Sequence, residues 1–238
     1  MQNNNEIFKT LFGIFPSQLK KTCIVIPFYS KDIISILNIK NISRGLLYSA
    51  GNDENITLII TRMGSAFTGD AVLYLKDTPC EKIIFFGSCG AVDKGQTKIG
   101  GIFLIKKAYS QDSFTNTLSG KEINDTFASD NALTEKLLSH SDGMHKGNCL
   151  TVSSLKLEEK YLKSLDINDI DVIDMETSAV LAAAQNIGKK AAAALFVTDI
   201  IGTKPYYEAF SKENSTKMRQ IVQKSSKTLL KLIDDFQL

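Results

Sequence analysis

Asp174-Met175-Glu176-Thr177-Ser178-Ala179 sets two acids ahead of an alanine-rich stretch, and Asp199 follows Glu176 by 23 residues in Phe196-Val197-Thr198-Asp199. Val180 to Phe196, interrupted by Gly188, predicts a small-residue helix, a glycine turn and a buried strand. Glu176 then stands at a helix start and Asp199 at the C-terminal end of the next strand. In an open α/β sheet that end of the strands is where ligands bind. Two acids brought together there can divide their work, one gripping sugar hydroxyls and the other giving a proton to a leaving group. The same residues also suit a plain helix N-terminus and the start of a loop, so other segments must decide.

Gly87-Ser88-Cys89-Gly90-Ala91-Val92 follows directly on an apolar strand ending at Phe86. Glycines at both ends predict a tight turn that brings backbone N–H groups toward an anion, with the Ser88 hydroxyl as a further donor. The Gly-Lys-Ser/Thr ending of a Walker loop is missing. A nucleophile elbow centred on Ser88 would need glycine where Phe86 stands. Thr61-Arg62-Met63-Gly64 closes another strand in a similar way, giving Arg62 reach toward an anion and Met63 the character of a soft apolar wall.

The elements that must position these residues alternate along the chain. Strands are expected at Cys23–Ile26, Thr57–Thr61, Lys82–Phe86, Gly101–Ile105 and Ala192–Val197. Helices are expected at Ala66–Lys76, Asn131–His140, Leu157–Leu165 and Thr177–Asn186. From about Ser211 to the C-terminus, Met218, Ile221, Val222, Leu229, Ile233 and Phe236 form one apolar stripe, expected to pack on the sheet. The alternation predicts one α/β domain over residues 1–238, with a mixed, mainly parallel, strongly twisted or partly barrel-like sheet flanked by helices.

The net charge of +2 leaves no footprint for nucleic acid, and no apolar run approaches the ~20 residues that span a bilayer. The polar start Met1-Gln2-Asn3-Asn4-Asn5-Glu6 lacks a signal peptide's apolar core, so the expected location is the cytoplasm. Four scattered cysteines without a Cys-x-x-Cys pair, and only two histidines, argue against structural zinc and a disulfide framework. No metal is expected.

Taken together, these segments resemble the nucleoside phosphorylase superfamily, in its purine nucleoside/uridine phosphorylase branch with the related nucleosidases. Gly87-Ser88-Cys89-Gly90-Ala91-Val92 resembles the family's phosphate-and-base turn, and Met63-Gly64 its Gly-Met-Gly turn. Gly147-Asn148 through Leu155 resembles the segment walling the base pocket, Asp174-Met175-Glu176 the ribose-binding Glu-Met-Glu, and Thr198-Asp199 the Ser-Asp serving the purine. The resemblance implies Asp199 as the acid facing purine N7, and Met63, Met175 and Glu176 at the ribose. It implies Gly87, Ser88, Arg44 and Arg62 at phosphate, with Arg44 lent across a dimer interface. Cys89, Gly90, Val152, Leu155 and Ile173 would line the base. The implied reaction is cleavage of a nucleoside by inorganic phosphate as co-substrate, without a further cofactor, in a homodimer or higher oligomer. Hydrolysis by water, or nucleoside binding with weak catalysis, are the alternatives.

The departures fall at the phosphate. Pro27-Phe28-Tyr29-Ser30-Lys31-Asp32 stands where the family has Pro-Gly-Asp-Pro and a nearby arginine, and Phe85 stands at the position of a second arginine. Lys31 and Arg62 are candidates to compensate. Leu155 replaces the base-stacking aromatic, and Lys212 lies near the position of the arginine that assists the catalytic aspartate.

Overall fold

The computed structural model describes residues 4–94, 97–120, 125–139, 143–157, 169–203 and 215–234. Helix α1 (Asn4–Phe12) precedes β1 (Thr22–Ile26), α2 (Lys31–Ile36), the short strands β2 (Ser43–Arg44) and β3 (Ser49–Asn52), β4 (Ile56–Ile60) and α3 (Ser65–Leu73). Next come β5 (Lys82–Ala91), β6 (Ile102–Gln111), α4 (Ser113–Ser119), β7 (Thr126–Ala128), α5 (Asn131–Ser139) and β8 (Met144–Val152). The described chain finishes with β9 (Val172–Asp174), α6 (Thr177–Asn186), β10 (Lys190–Ile200) and α7 (Ser215–Asp234).

All these strands join one mixed sheet in the order β10-β6-β8-β9-β5-β1-β4-β3-β2, with β7 on β6. Because β10 also pairs with β5, strands β5, β9, β8, β6 and β10 close into a ring, and β1, β4, β3 and β2 continue as open sheet. The long ladders are parallel: β10 on β5, β6 on β8, and β1 between β4 and β5. Antiparallel pairs close the ring at β10–β6 and β5–β9 and finish the edge at β3–β4 and β2–β3.

Strand burial follows from composition. Every residue of β4 is buried, as suits an uninterrupted Ile-Thr-Leu-Ile-Ile run covered on both faces. Alternate residues of β10 serve opposite cores. Ala191, Ala193, Leu195 and Val197 join the cluster formed with α1, α3 and α6, while Ala192, Ala194 and Phe196 join that formed with α2, α5 and α7. The small side chains of α6, Ala182 to Ala184, let it lie close on the first face. On the second face Leu229 of α7 is fully packed, as its stripe predicts, and Ile221 packs beside it. Helix α1 carries Phe8 stacked on Phe12 with ring centroids 4.2 Å apart. It is stitched to the loop after β2, where the Leu46 and Tyr48 N–H groups donate to the Thr10 and Leu11 carbonyls.

One expectation changes. Residues 87 to 91 are not a turn: β5 runs through them, with Gly87 opposite Leu195 and Gly90 opposite both Asp199 and Ile173. The helix expected from Leu157 to Leu165 lies, past residue 157, outside the described residues, as do Ser211, Lys212, Phe236 and the side chain of Ile233. All four cysteines are free and buried. Among the described residues no helix is long and apolar enough to cross a membrane, and no cluster of His, Cys, Asp and Glu is arranged to hold a metal.

Candidate active site

A cavity of about 340 Å³ opens where the carboxyl ends of β5, β9 and β10 meet, closed by α7 and by the segment after β1. Met63, Ser88, Cys89, Gly90, Leu155, Ile173, Met175, Glu176 and Asp199 all line it. Asp199 and Ile173 flank Gly90 on one rung of the sheet, so their Cα atoms stand roughly 10 Å apart, two strand spacings.

Glu176 sits at the cap position of α6 without capping it. That work falls to Asp174, which is only 2% exposed and accepts from the Thr177 N–H (2.8 Å) and Thr177 Oγ1 (2.5 Å). Its other oxygen accepts from Thr151 Oγ1 at 2.7 Å and from Cys149 Sγ at 3.3 Å. With Asp174 holding the helix start, Glu176 is released toward the cavity while only 4% exposed. Its Oε1 accepts from the Gly64 N–H at 2.5 Å, and Ser65 Oγ donates to the Met175 carbonyl at 2.8 Å. These two bonds fix Met63 and Gly64 against the Met175-Glu176 segment. Gly64 has φ +107°, and a Cβ added there would meet nothing within 4 Å. Glycine is therefore required for the backbone conformation that aims its N–H, not for space.

Asp199 owes its direction to a bulge. Val197 pairs with Cys89 and Asp199 with Gly90, so Thr198 is an extra residue in β10, and Thr198 and Asp199 both face the cavity. Thr198 Oγ1 lies 2.7 Å from Asp199 Oδ1.

Burial sets the electrostatics. It pushes Glu176 up to about 8, aided by the nearby Asp174 charge and opposed by the Gly64 N–H. Burial also raises Asp199, against the hydrogen bond from Thr198, and raises Asp174, against its donors from Thr177 and Thr151. A carboxyl that keeps its proton near neutrality is what protonation of a leaving base requires.

Four expected residues do not line this cavity. Gly87 is buried in the β5–β10 ladder, where an added Cβ would fall 2.9 Å from the Phe85 ring. Arg44 is exposed on edge strand β2, and Arg62 is exposed with its guanidinium 5.4 Å from the Phe67 ring centroid. Val152 is buried and borders an adjoining cavity of about 300 Å³ that shares Met63 and Met175 with the first. Among the described residues lining the main cavity, none is lysine or arginine.

Sequence reasoning missed several walls. Phe28, Tyr29, Phe196, Met218 and Val222 line the cavity, with Phe28 set edge-on to Phe196 at 6.2 Å. Met218 and Val222 were legible only as part of the apolar stripe of α7. Their helix is held over the site by Arg219, whose Nε and Nη2 donate to the two oxygens of Asp32 in α2, and by Gln223.

Known proteins share this fold. A purine nucleoside phosphorylase from Toxoplasma gondii, solved with immucillin-H, superposes with a TM-score of 0.76 at 18% identity, covering 94% of each chain. Uridine phosphorylase from Vibrio fischeri gives 0.71 at 19% identity over 92% of this chain and 93% of that one. The 5′-methylthioadenosine/S-adenosylhomocysteine nucleosidase of Campylobacter jejuni gives 0.70 at 16% identity over 91% and 99%. These likenesses establish the fold. Among curated protein sequences none matches the chain at a significant level. The model of the phosphorylase superfamily matches residues 23–234, nearly the whole length, and the chain belongs to that superfamily.

Proposed function

We propose that the protein cleaves the N-glycosidic bond of a purine nucleoside by phosphorolysis, releasing the base and a pentose 1-phosphate. The observation that carries this reading is the pair of buried acids, Glu176 and Asp199, lining one nucleoside-sized cavity. Glu176 accepts from the ribose hydroxyls and holds the sugar, with Met63 and Met175 against its apolar face. As the bond breaks, its electron pair leaves with the base while C1′ becomes cationic. Asp199, whose hold on a proton is strengthened by burial, gives its proton to N7 and neutralises that leaving group. Ser88 donates to phosphate, whose charge is met by Arg44 from a second subunit and by Arg62 turning from its place beside Phe67.

Hydrolysis is the second reading, favoured by one observation: no described lining residue is basic, and Phe28 occupies the segment where a phosphate arginine is expected. Loss of a charged hydrogen bond to a buried dianion costs about 2–5 kcal/mol. The experiment is a nucleoside panel incubated with and without phosphate, measuring free base, pentose 1-phosphate and free pentose. Phosphorolysis predicts pentose 1-phosphate and a rate that rises with phosphate, with Arg44→Ala shifting that rise to higher phosphate without altering the fold. Equal turnover in phosphate-free buffer, yielding free pentose, establishes the second reading instead.

A further inference from the structure

The bulge in β10 does more than aim Asp199. Thr198 has no partner across the β5 ladder, and its hydroxyl lies between two acceptors, 2.7 Å from Asp199 Oδ1 and 3.2 Å from the Cys89 carbonyl oxygen. A hydroxyl carries one hydrogen and can serve only one of them at a time. Both lie within reach of the same Oγ1 position, so changing partner needs rotation of the hydrogen alone. The hydroxyl is buried with Asp199, at 4% and 6% exposure, so water does not substitute freely for it.

Among the described residues, the charged and titratable groups that line the cavity with Asp199 include no cation. They are Glu176 and Asp174 from the β9–α6 segment, the Cys89 thiol of β5 and the Tyr29 phenol ahead of α2, none of them cationic. A negative charge formed on Asp199 during reaction has, in the Thr198 hydroxyl, a neutral donor already in place.

Resting on the acid role proposed for Asp199, we infer that Thr198 is a positioning residue whose hydroxyl follows the proton on Asp199. While Asp199 is protonated, the hydroxyl donates to the Cys89 carbonyl and leaves the carboxyl hydrogen free to face the base. When the glycosidic bond breaks, its electron pair passes to the base, the Asp199 O–H bond breaks and a base N–H bond forms. The carboxylate left behind is met by the Thr198 hydrogen turning to Oδ1. Departure of the base lets solvent return the proton, and the hydroxyl turns back.

The test reads Asp199 directly. Protein labelled with carboxyl-¹³C aspartate is titrated, with the Asp199 signal identified by its absence in Asp199→Asn. In Thr198→Val, which keeps the side-chain shape, Asp199 titrates at higher pH because its anion has lost a donor. Thr198→Ser, which keeps the hydroxyl, restores the original titration. With nucleoside present, Thr198→Val lowers kcat more than it raises KM and moves the alkaline limb of the pH profile upward. An unchanged or lowered titration in Thr198→Val, or failure of Thr198→Ser to restore it, overturns the inference. The titration needs no substrate. An upward shift in a protein that cleaves no nucleoside would uphold the Thr198–Asp199 coupling and remove the proposed function alone.

Discussion

Replacing Glu176 by glutamine should stabilise the protein in alkaline solution, although it removes a buried side chain's charge. Glutamine keeps the shape and an oxygen for the Gly64 N–H but does not titrate. In the folded chain Glu176 is raised from its ordinary 4.5 to about 8, chiefly by burial. The native state therefore holds this proton more tightly than the unfolded chain. The stability it contributes is complete below about pH 4.5 and is lost as pH climbs through 8. At ~1.36 kcal/mol per pH unit, that window corresponds to an upper limit of about 5 kcal/mol. Wild type and Glu176→Gln should match near pH 4.5, and the variant should gain steadily until it is the more stable by several kcal/mol at pH 8.5. Asp174 and Asp199 are raised as well, so the variant still weakens with pH, with a slope shallower by up to one proton. Urea unfolding followed by circular dichroism at half-unit pH steps measures the difference. A gap between the two proteins that does not change with pH would refute the reasoning, as would a variant less stable than wild type at pH 8.5.

Asp199→Asn should lower kcat by roughly 10² to 10⁴ with little change in KM. A nucleoside whose base leaves without protonation should lose much less, which steady-state kinetics on both substrates will read. Gly45→Ala should destabilise by about 2 kcal/mol or more in urea unfolding. Its Cβ would fall 2.1 Å from the Leu11 carbonyl oxygen, a backbone atom that yields only if α1 moves off the sheet.

Legibility in the sequence followed the length and purity of each apolar run. The centres of β1, β4, β5 and β10 are uninterrupted, and Thr177–Asn186 was bounded by its own capping and turn residues, so these elements were read directly. Strand β8 was not: His145, Lys146, Gly147 and Asn148 break its pattern, and its burial begins only at Gly147. Strand β9 has three residues, too few to show a period. The glycines of β5 suggested a turn because their alternative use, accommodating the Phe85 ring and a strand on each side, is tertiary. The acids of the site were visible from their spacing along one helix–strand unit. The aromatic and aliphatic walls were hidden because Phe28, Phe196 and Met218 belong to three elements with no local signature in common. Asp174 was seen only as a neighbour of Glu176, since its four donors come partly from Cys149 and Thr151 on another strand.

The closed ring of strands also fixes when during folding a site can exist. Strand β10 is the member that shuts it, pairing with β5 and with β6, both formed from residues about 80 to 110 positions earlier in the chain. Such distant pairings are entropically slow to form, so closure is expected to come late. Asp199 and its bulge travel on that closing strand, and α6, with Glu176 at its head, immediately precedes it. An incompletely closed chain thus lacks Asp199 opposite Gly90, whatever its helix content. During refolding, helical signal should return before nucleoside cleavage does, and the interval between them times the closure of the ring.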